Sequence, residues 1–257
     1  MARRVVVTGI GMVTALGNST AETWKNVVEG RSGIGPLTRC DLSSLPPAVA
    51  IAGEVKDFSA EGVLERKEAK RMDWFIQYSL VAAHEALLNA GLGGLGAVPQ
   101  PEETGVIIGS GMGGLISIME TAEGMRNGQR VSPFFIPASI VNLAAGQVAI
   151  RTRAMGPSYA TVSACASSNH AIGESYHAIL RGDAEMMIAG GTEACLTPIS
   201  FAGFHAARAL ATDYESPETA SRPFDAKRSG FVHGEGAAIL VLEELESARR
   251  RGAPILA

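Results

Sequence analysis

A chain of 257 residues is long enough for one large domain or two small ones, and for a substantial buried core. With 46% hydrophobic and 19% charged residues and 30 glycines, the composition is globular and not disordered. A formal net charge of -4 excludes an overall attraction to nucleic acid or to anionic lipid.

The chain opens on Met1-Ala2-Arg3-Arg4 and passes into the β-branched run Val5–Val7, a short strand and not a signal peptide. The glycine-rich stretch TGIGMVTALG follows and reads as a loop. Ser19-Thr20-Ala21-Glu22 then reads as a capping box, opening a helix that runs past Trp24 and Val28 towards Gly30. Met72, Phe75, Ile76, Leu80, Ala83, Leu87 and Leu88 recur at helical spacing, and Gly91 stands where a left-handed cap would stop that helix.

Gly105–Gly109 reads as an apolar strand ending in the loop GSGMGG. Residues 136–149 show helical apolar spacing with Asn142 inside it. After Gly156-Pro157 comes the strand SYATVSAC, then a helix from about Ala166 to Leu180 ending near Gly182. Met186–Ala189 and Ala237–Leu242 read as further buried strands, and a helix follows towards Arg249. Residues 91–104 and 211–230 are polar or rich in Pro and Gly, and read as surface loops. Short apolar strands alternating with helices predict an α/β layered fold. Pro254-Ile-Leu-Ala257 resembles the first residues of another strand, and the surplus of apolar over charged residues predicts surface covered by a partner or by further chain. No apolar run approaches the ~20 residues that a membrane span needs.

Gly109-Ser-Gly111-Met-Gly113-Gly114 formally matches the G-x-G-x-x-G of dinucleotide sites. No strand ending in an acid follows at the required distance, so close backbone packing is the better reading of these glycines. Cys40, Cys165 and Cys195 are too few and too scattered for a disulfide framework or a zinc site, which fits a reduced, cytoplasmic setting. Cys40 and Cys195 read as small buried residues. Cys165 differs: it falls at a strand-to-helix junction between Ala164 and Ala166, Ser167 and Ser168. There the helix dipole favours thiolate, the small neighbours admit a carbonyl carbon, and free amides are available to a developing oxyanion. No histidine pairs with it by sequence signal, and His170, five residues on, falls within the buried helix and on another face.

The segment VSACASSNHAIG around Cys165 closely resembles the active-cysteine segment of the elongating β-ketoacyl-[acyl-carrier-protein] synthases. RMDWFIQYSLVAAHEAL, GVIIGSGMGGL, SPFFIPASIVNLAAGQVAI, GDAEMMIAGGTEA and SRPFDAKRSGFVHGEGAAILVLEE look like further signature stretches, in order along nearly the whole chain. The resemblance implies a thiolase-like layered α/β fold, α-β-α-β-α in the full family, of which residues 1–257 form the N-terminal domain. It implies a homodimer, an acyl carrier protein as partner, and no cofactor or metal. Cys165 would accept an acyl group. Malonyl on the carrier would lose carbon dioxide and attack the thioester to give a 3-ketoacyl product. Met112, Phe135 and Phe204 would line the acyl tunnel, with Phe135 reaching across the dimer. Arg66, Lys67, Lys70 and Arg71, four cations in six residues, would dock the acidic carrier. The two histidines and the lysine that the family uses on the malonyl thioester belong to its second half, so these 257 residues alone are expected not to condense. A polyketide ketosynthase and a non-catalytic carrier-binding scaffold are the alternatives.

Overall fold

The computed structural model describes residues 3–257. Along the chain it forms β1 (Val5–Val13), α1 (Thr20–Val28), β2 (Gly35–Pro36), β3 (Ile51–Ala52), α2 (Arg66–Ala69) and α3 (Trp74–Asn89). There follow β4 (Thr104–Gly109), α4 (Leu115–Arg126), α5 (Phe135–Ser139), α6 (Leu143–Thr152), β5 (Ser158–Tyr159) and α7 (Ser167–Arg181). The chain continues with β6 (Met186–Glu193), α8 (Pro198–Ala206), β7 (Gly236–Glu244) and α9 (Leu245–Arg250).

The main sheet has the order β1-β7-β6-β4-β5. Strands β4, β5 and β6 run parallel, and β7 is antiparallel to both β1 and β6. Helices cover both faces, which explains why the central strands read as unbroken apolar runs and not as alternating ones. Val106, Ile108, Ile188, Ile239 and Val241 pack with Phe75, Ile76, Leu80 and Leu87 of α3 on one face. The intervening residues Ile107, Met187, Ala189 and Leu242 pack under Ala171, Ala178 and Ile179 of α7 on the other. The result is an α-β-α sandwich, the layered α/β fold that the sequence predicts.

Several local expectations change. β1 does not stop at Val7: it continues through Gly9 and Gly11 to Val13. These glycines are strand residues because α3 crosses directly over them, and a Cβ at either would meet the carbonyl of Ala86 or Ala82. The helical spacing over 136–149 is carried by two helices, α5 and α6, with Ile140 extended between them and Asn142 just ahead of the second, its side chain making no capping bond. Ser19 does accept from the Glu22 amide at 3.2 Å, but the Glu22 carboxylate accepts from the amide of Asn18 at 3.0 Å, one residue earlier than a capping box places it. Asp73 caps α3, and Gly91 takes the expected left-handed conformation, φ 74°. Residues 254–257 are not a regular strand, although Leu256 donates to the Val7 carbonyl at 2.8 Å and Val7 donates to the Ala257 carbonyl at 2.9 Å along the edge of β1.

The start of α7 sits directly on the ends of β4 and β6. A Cβ on Gly109 would collide with the carbonyl of Ser167, and one on Gly191 with the side chain of Ser168. Gly109→Ala is therefore expected to cost about 1–3 kcal/mol through overpacking. Gly96→Ala, where a Cβ meets nothing, is expected to stay within about 0.5 kcal/mol of wild type. Urea denaturation of the two variants checks both values.

Candidate active site

The predicted strand SYATVSAC pairs with β4 only at Ser158 and Tyr159. Beyond Tyr159 the backbone leaves the sheet and is held instead by hydroxyl groups. Thr161 Oγ1 donates to the Ser167 carbonyl at 2.7 Å, and Ser167 Oγ accepts from the Ser163 amide at 2.9 Å while donating to the Ala164 carbonyl at 2.6 Å. The Ala166 amide closes the turn on the Ser163 carbonyl at 3.1 Å. Ala164 is thereby kept at φ 52°, a left-handed conformation that costs an L-residue about 1–3 kcal/mol.

Cys165 follows that turn and is exposed, immediately ahead of the α7 amides. Among the described residues no acceptor takes the N–H groups of Ser168 and Asn169 in the first turn. The positive end of the helix and its free donors thus lie next to the sulfur. His170 departs from expectation: it is exposed, and its Nδ1 lies 2.6 Å from Ser163 Oγ. It braces the cysteine turn because the residues before Cys165 fold back over the first turn of α7.

Of the other two cysteines, Cys195 is buried as expected and Cys40 only half so. Cys40 is half-buried, and burial, with Glu54 adding to it, pushes its thiol up against the opposing pull of Arg39. Cys195 is buried, and burial pushes its thiol well up. Its Sγ lies 3.3 Å from Nε2 of His233, a pairing across 38 positions that no local pattern announces. The His233 ring packs edge-on against Phe201 and Phe204, its Nδ1 has no partner among the described residues, and burial lowers its pKa to about 4.

The loop Gly109–Gly114 comes up beside the cysteine turn. Its Gly111 is open to Ala164, whose Cα would lie 3.7 Å from a Cβ built there. A carboxylate missed from the sequence, Glu193 at the end of β6, gathers this loop: it accepts from Ser110 Oγ at 3.0 Å, from the Gly111 amide at 2.7 Å and from the Met112 amide at 3.1 Å. Burial raises the pKa of Glu193, and these donors oppose the rise. The run Gly190-Gly191-Thr192-Glu193 carried the signal, an acid two residues beyond a glycine pair; β6 does not stop at Ala189 but passes through both glycines to Glu193.

The remaining predicted residues are distributed among different surroundings. Met112 belongs to the Glu193 loop. Phe204 stacks edge-on with Phe231 at 5.1 Å and with His233 at 5.2 Å. Phe135 lines an open cavity of 450 Å³ with Arg66, Lys70 and Arg71. Arg66, Lys67, Lys70 and Arg71 are all exposed, and the Arg71 guanidinium lies over the ring of Phe134 at 4.4 Å. That cavity joins Phe135 to the basic cluster and does not include Cys165, Met112 or Phe204.

Residues 2–248 match the model of the β-ketoacyl synthase N-terminal domain. The chain belongs to the β-ketoacyl synthase family. A 3-oxoacyl-[acyl-carrier-protein] synthase 2 from Synechocystis is 48% identical over 258 residues, covering 98% of this chain and 60% of that relative. A β-ketoacyl synthase structure from Burkholderia phymatum superposes with a TM-score of 0.85 at 32% identity, covering 98% of this chain and 62% of that one. A type II polyketide ketosynthase, solved with its acyl carrier protein and bound to a hexaketide, gives a TM-score of 0.80 at 29% identity, covering 99% of this chain and 61% of its own. This β-ketoacyl synthase chain thus spans about three-fifths of the length of the relatives it matches. Its glycine loop after β4 is closely packed: a Cβ on Gly109 would meet Ser167 and one on Gly114 would meet Ala138 and Ser139.

Proposed function

We propose that this domain serves the decarboxylative condensation of fatty acid elongation, with Cys165 as the acyl acceptor. The thiol of Cys165 attacks the thioester of an acyl-[acyl-carrier-protein], the acyl group passes to its sulfur, and the carrier leaves with a free thiol. Malonyl-[acyl-carrier-protein] then loses carbon dioxide, and the resulting carbanion attacks the Cys165 thioester. This releases the cysteine and leaves a 3-ketoacyl group on the carrier. The observation that carries this reading is the exposed Cys165 sulfur, presented after a left-handed Ala164 at the amide end of α7. Met112, Phe135 and Phe204 are the proposed acyl-contacting residues. The groups that the family applies to the malonyl thioester lie in its second half, so the 257 residues alone carry the acyl-transfer step and not the condensation.

The exposed cations Arg66, Lys67, Lys70 and Arg71 are the proposed carrier-docking surface, since steering by opposite charge suits an acidic carrier. β5 is a short edge strand with both residues exposed, and with Tyr159 and Val162 it offers the edge for a homodimer. A cytoplasmic setting follows from the chemistry, which needs Cys165 reduced. Polyketide condensation is the second reading, favoured by the likeness to the hexaketide-bound ketosynthase.

The test is to mix the chain with acyl- and malonyl-[acyl-carrier-protein] and follow intact mass. One acyl group is expected on wild type and none on Cys165→Ser, with no 3-ketoacyl product from either. Failure of wild type to take an acyl group refutes the acceptor role, and product formed without added chain refutes the division of labour.

A further inference from the structure

We propose that Glu193 is a positioning residue of the cysteine site: it fixes the loop Gly109–Gly114 against the cysteine turn and so sets where Met112 stands and which acyl lengths Cys165 accepts. The inference rests on the reading of Cys165 as acyl acceptor and of Met112 as an acyl-contacting residue.

Three successive residues are tied to one carboxylate. Glu193 Oε2 accepts from the amides of Gly111 and Met112, at 2.7 and 3.1 Å, and Oε1 accepts from Ser110 Oγ at 3.0 Å. Ser110 Oγ in turn accepts from the Gly113 amide at 3.1 Å, which extends the tie to a fourth residue. The strand pairing fixes where this acid stands: Gly191 pairs with Gly109 on β4, and Glu193 pairs with Gly236 on β7. The loop is held from its far side as well. The Ser110 amide donates to the Thr161 carbonyl at 3.3 Å, and Thr161 belongs to the hydroxyl-bonded turn ahead of Cys165.

A Cβ built on Gly111 would lie 3.0 Å from Glu193 Oε2 and 3.7 Å from Ala164. The carboxylate and the residue before the nucleophile thus both lie within 4 Å of one point beside Gly111. Small displacements of the acid pass directly to the Met112 backbone, because that amide is one of its donors. The reach of the side chain decides whether these acceptors meet the loop amides, and a wall so held discriminates between ligand lengths better than one free to yield.

Two conservative variants separate position from charge. Glu193→Asp keeps the charge and withdraws it by one methylene. Glu193→Gln keeps the reach and loses the charge, and its amide oxygen still faces Gly111 and Met112 while its NH₂ faces Ser110 Oγ. Amide hydrogen exchange and acylation of Cys165 by acetyl and decanoyl thioesters of N-acetylcysteamine are read on the 257-residue chain. In Glu193→Asp, exchange at Gly111 and Met112 is expected to rise roughly tenfold, the loss of about one hydrogen bond. Its decanoyl-to-acetyl ratio is expected to shift by a similar factor, while alkylation of Cys165 by iodoacetamide keeps its wild-type rate. Glu193→Gln is expected to restore both readouts to near wild type. Wild-type exchange and ratio in Glu193→Asp, or equal damage in both variants, overturn the proposal. Should Glu193→Asp fail to fold, Met112→Ala decides: the ratio must move, and an unchanged ratio overturns it. Absence of any acyl uptake by wild type refutes the acceptor reading alone, while the exchange comparison still judges the hold of Glu193 on the loop.

Discussion

Iodoacetamide is expected to label Cys165 well ahead of Cys40 and Cys195 in the folded chain, by roughly a hundredfold over Cys195. Cys165 is exposed, so the reagent reaches it without any rearrangement. Cys195 is buried at 3% exposure, shares its sulfur with His233, and has its thiol held up by burial. Reaction there needs local opening, and an opening free energy of about 3 kcal/mol accounts for two orders of magnitude in rate. Cys40 falls between, half-buried and with its thiolate disfavoured by burial and by Glu54. Peptide mapping after short exposures checks the order. In urea the three rates should converge, because the differences belong to the fold. Equal labelling of Cys165 and Cys195 under native conditions would remove the basis for singling out Cys165.

The second large effect is a loss of stability in mild acid that traces to His233. In the unfolded chain its imidazole takes a proton near pH 6.5, whereas burial in the fold holds it neutral down to about pH 4. Between those values the unfolded state binds more protons, so stability rises with pH through the window. The contribution is complete above pH 6.5 and is lost as pH falls towards 4, by about 3 kcal/mol. Other carboxyls titrate in the same range, so the measurement is a difference. Wild type and His233→Leu are compared by urea unfolding at pH 7 and pH 4, and wild type is expected to lose about 3 kcal/mol more than the variant. Parallel pH curves would show that the imidazole protonates in place.

The position of Cys165 ahead of α7 was legible in the sequence because the residues around it are local, although the predicted strand stops at Tyr159 and the contact of His170 with Ser163 was not foreseen. Ala164, Ser163 and Ser167 lie within five positions, and small residues at a strand-to-helix junction announce an exposed side chain. The helices α3 and α7 were legible for the same reason, since their periodicity and their glycine caps are contained within each segment. β1 was read too short because Gly9 and Gly11 are signals for a loop when taken alone, and only the passage of α3 overhead makes them strand residues. The join between α5 and α6 was invisible because apolar spacing continues across Ile140 while the backbone does not. The pairing of Cys195 with His233, and the hold of Glu193 on a loop 80 positions earlier, depend on strand register, which no single stretch encodes. The resemblance supplied the overall architecture; it did not supply these contacts.

The missing Cβ atom at Gly109 leaves the backbone of α7 at Ser167 seated against the end of β4 with no side-chain cushion between them. A cushion of methylene groups would let a helix slide or tilt by fractions of an ångström at little cost, whereas backbone against backbone has no such give. Cys165 therefore inherits the stiffness of the central strands, and thermal motion that would smear its sulfur over several positions is damped at the source. The neighbouring glycine loop is held as well, by the Glu193 carboxylate on the Gly111 and Met112 amides, so the reacting sulfur stands between two restrained stretches of backbone, one fixed by contact and one by hydrogen bonds.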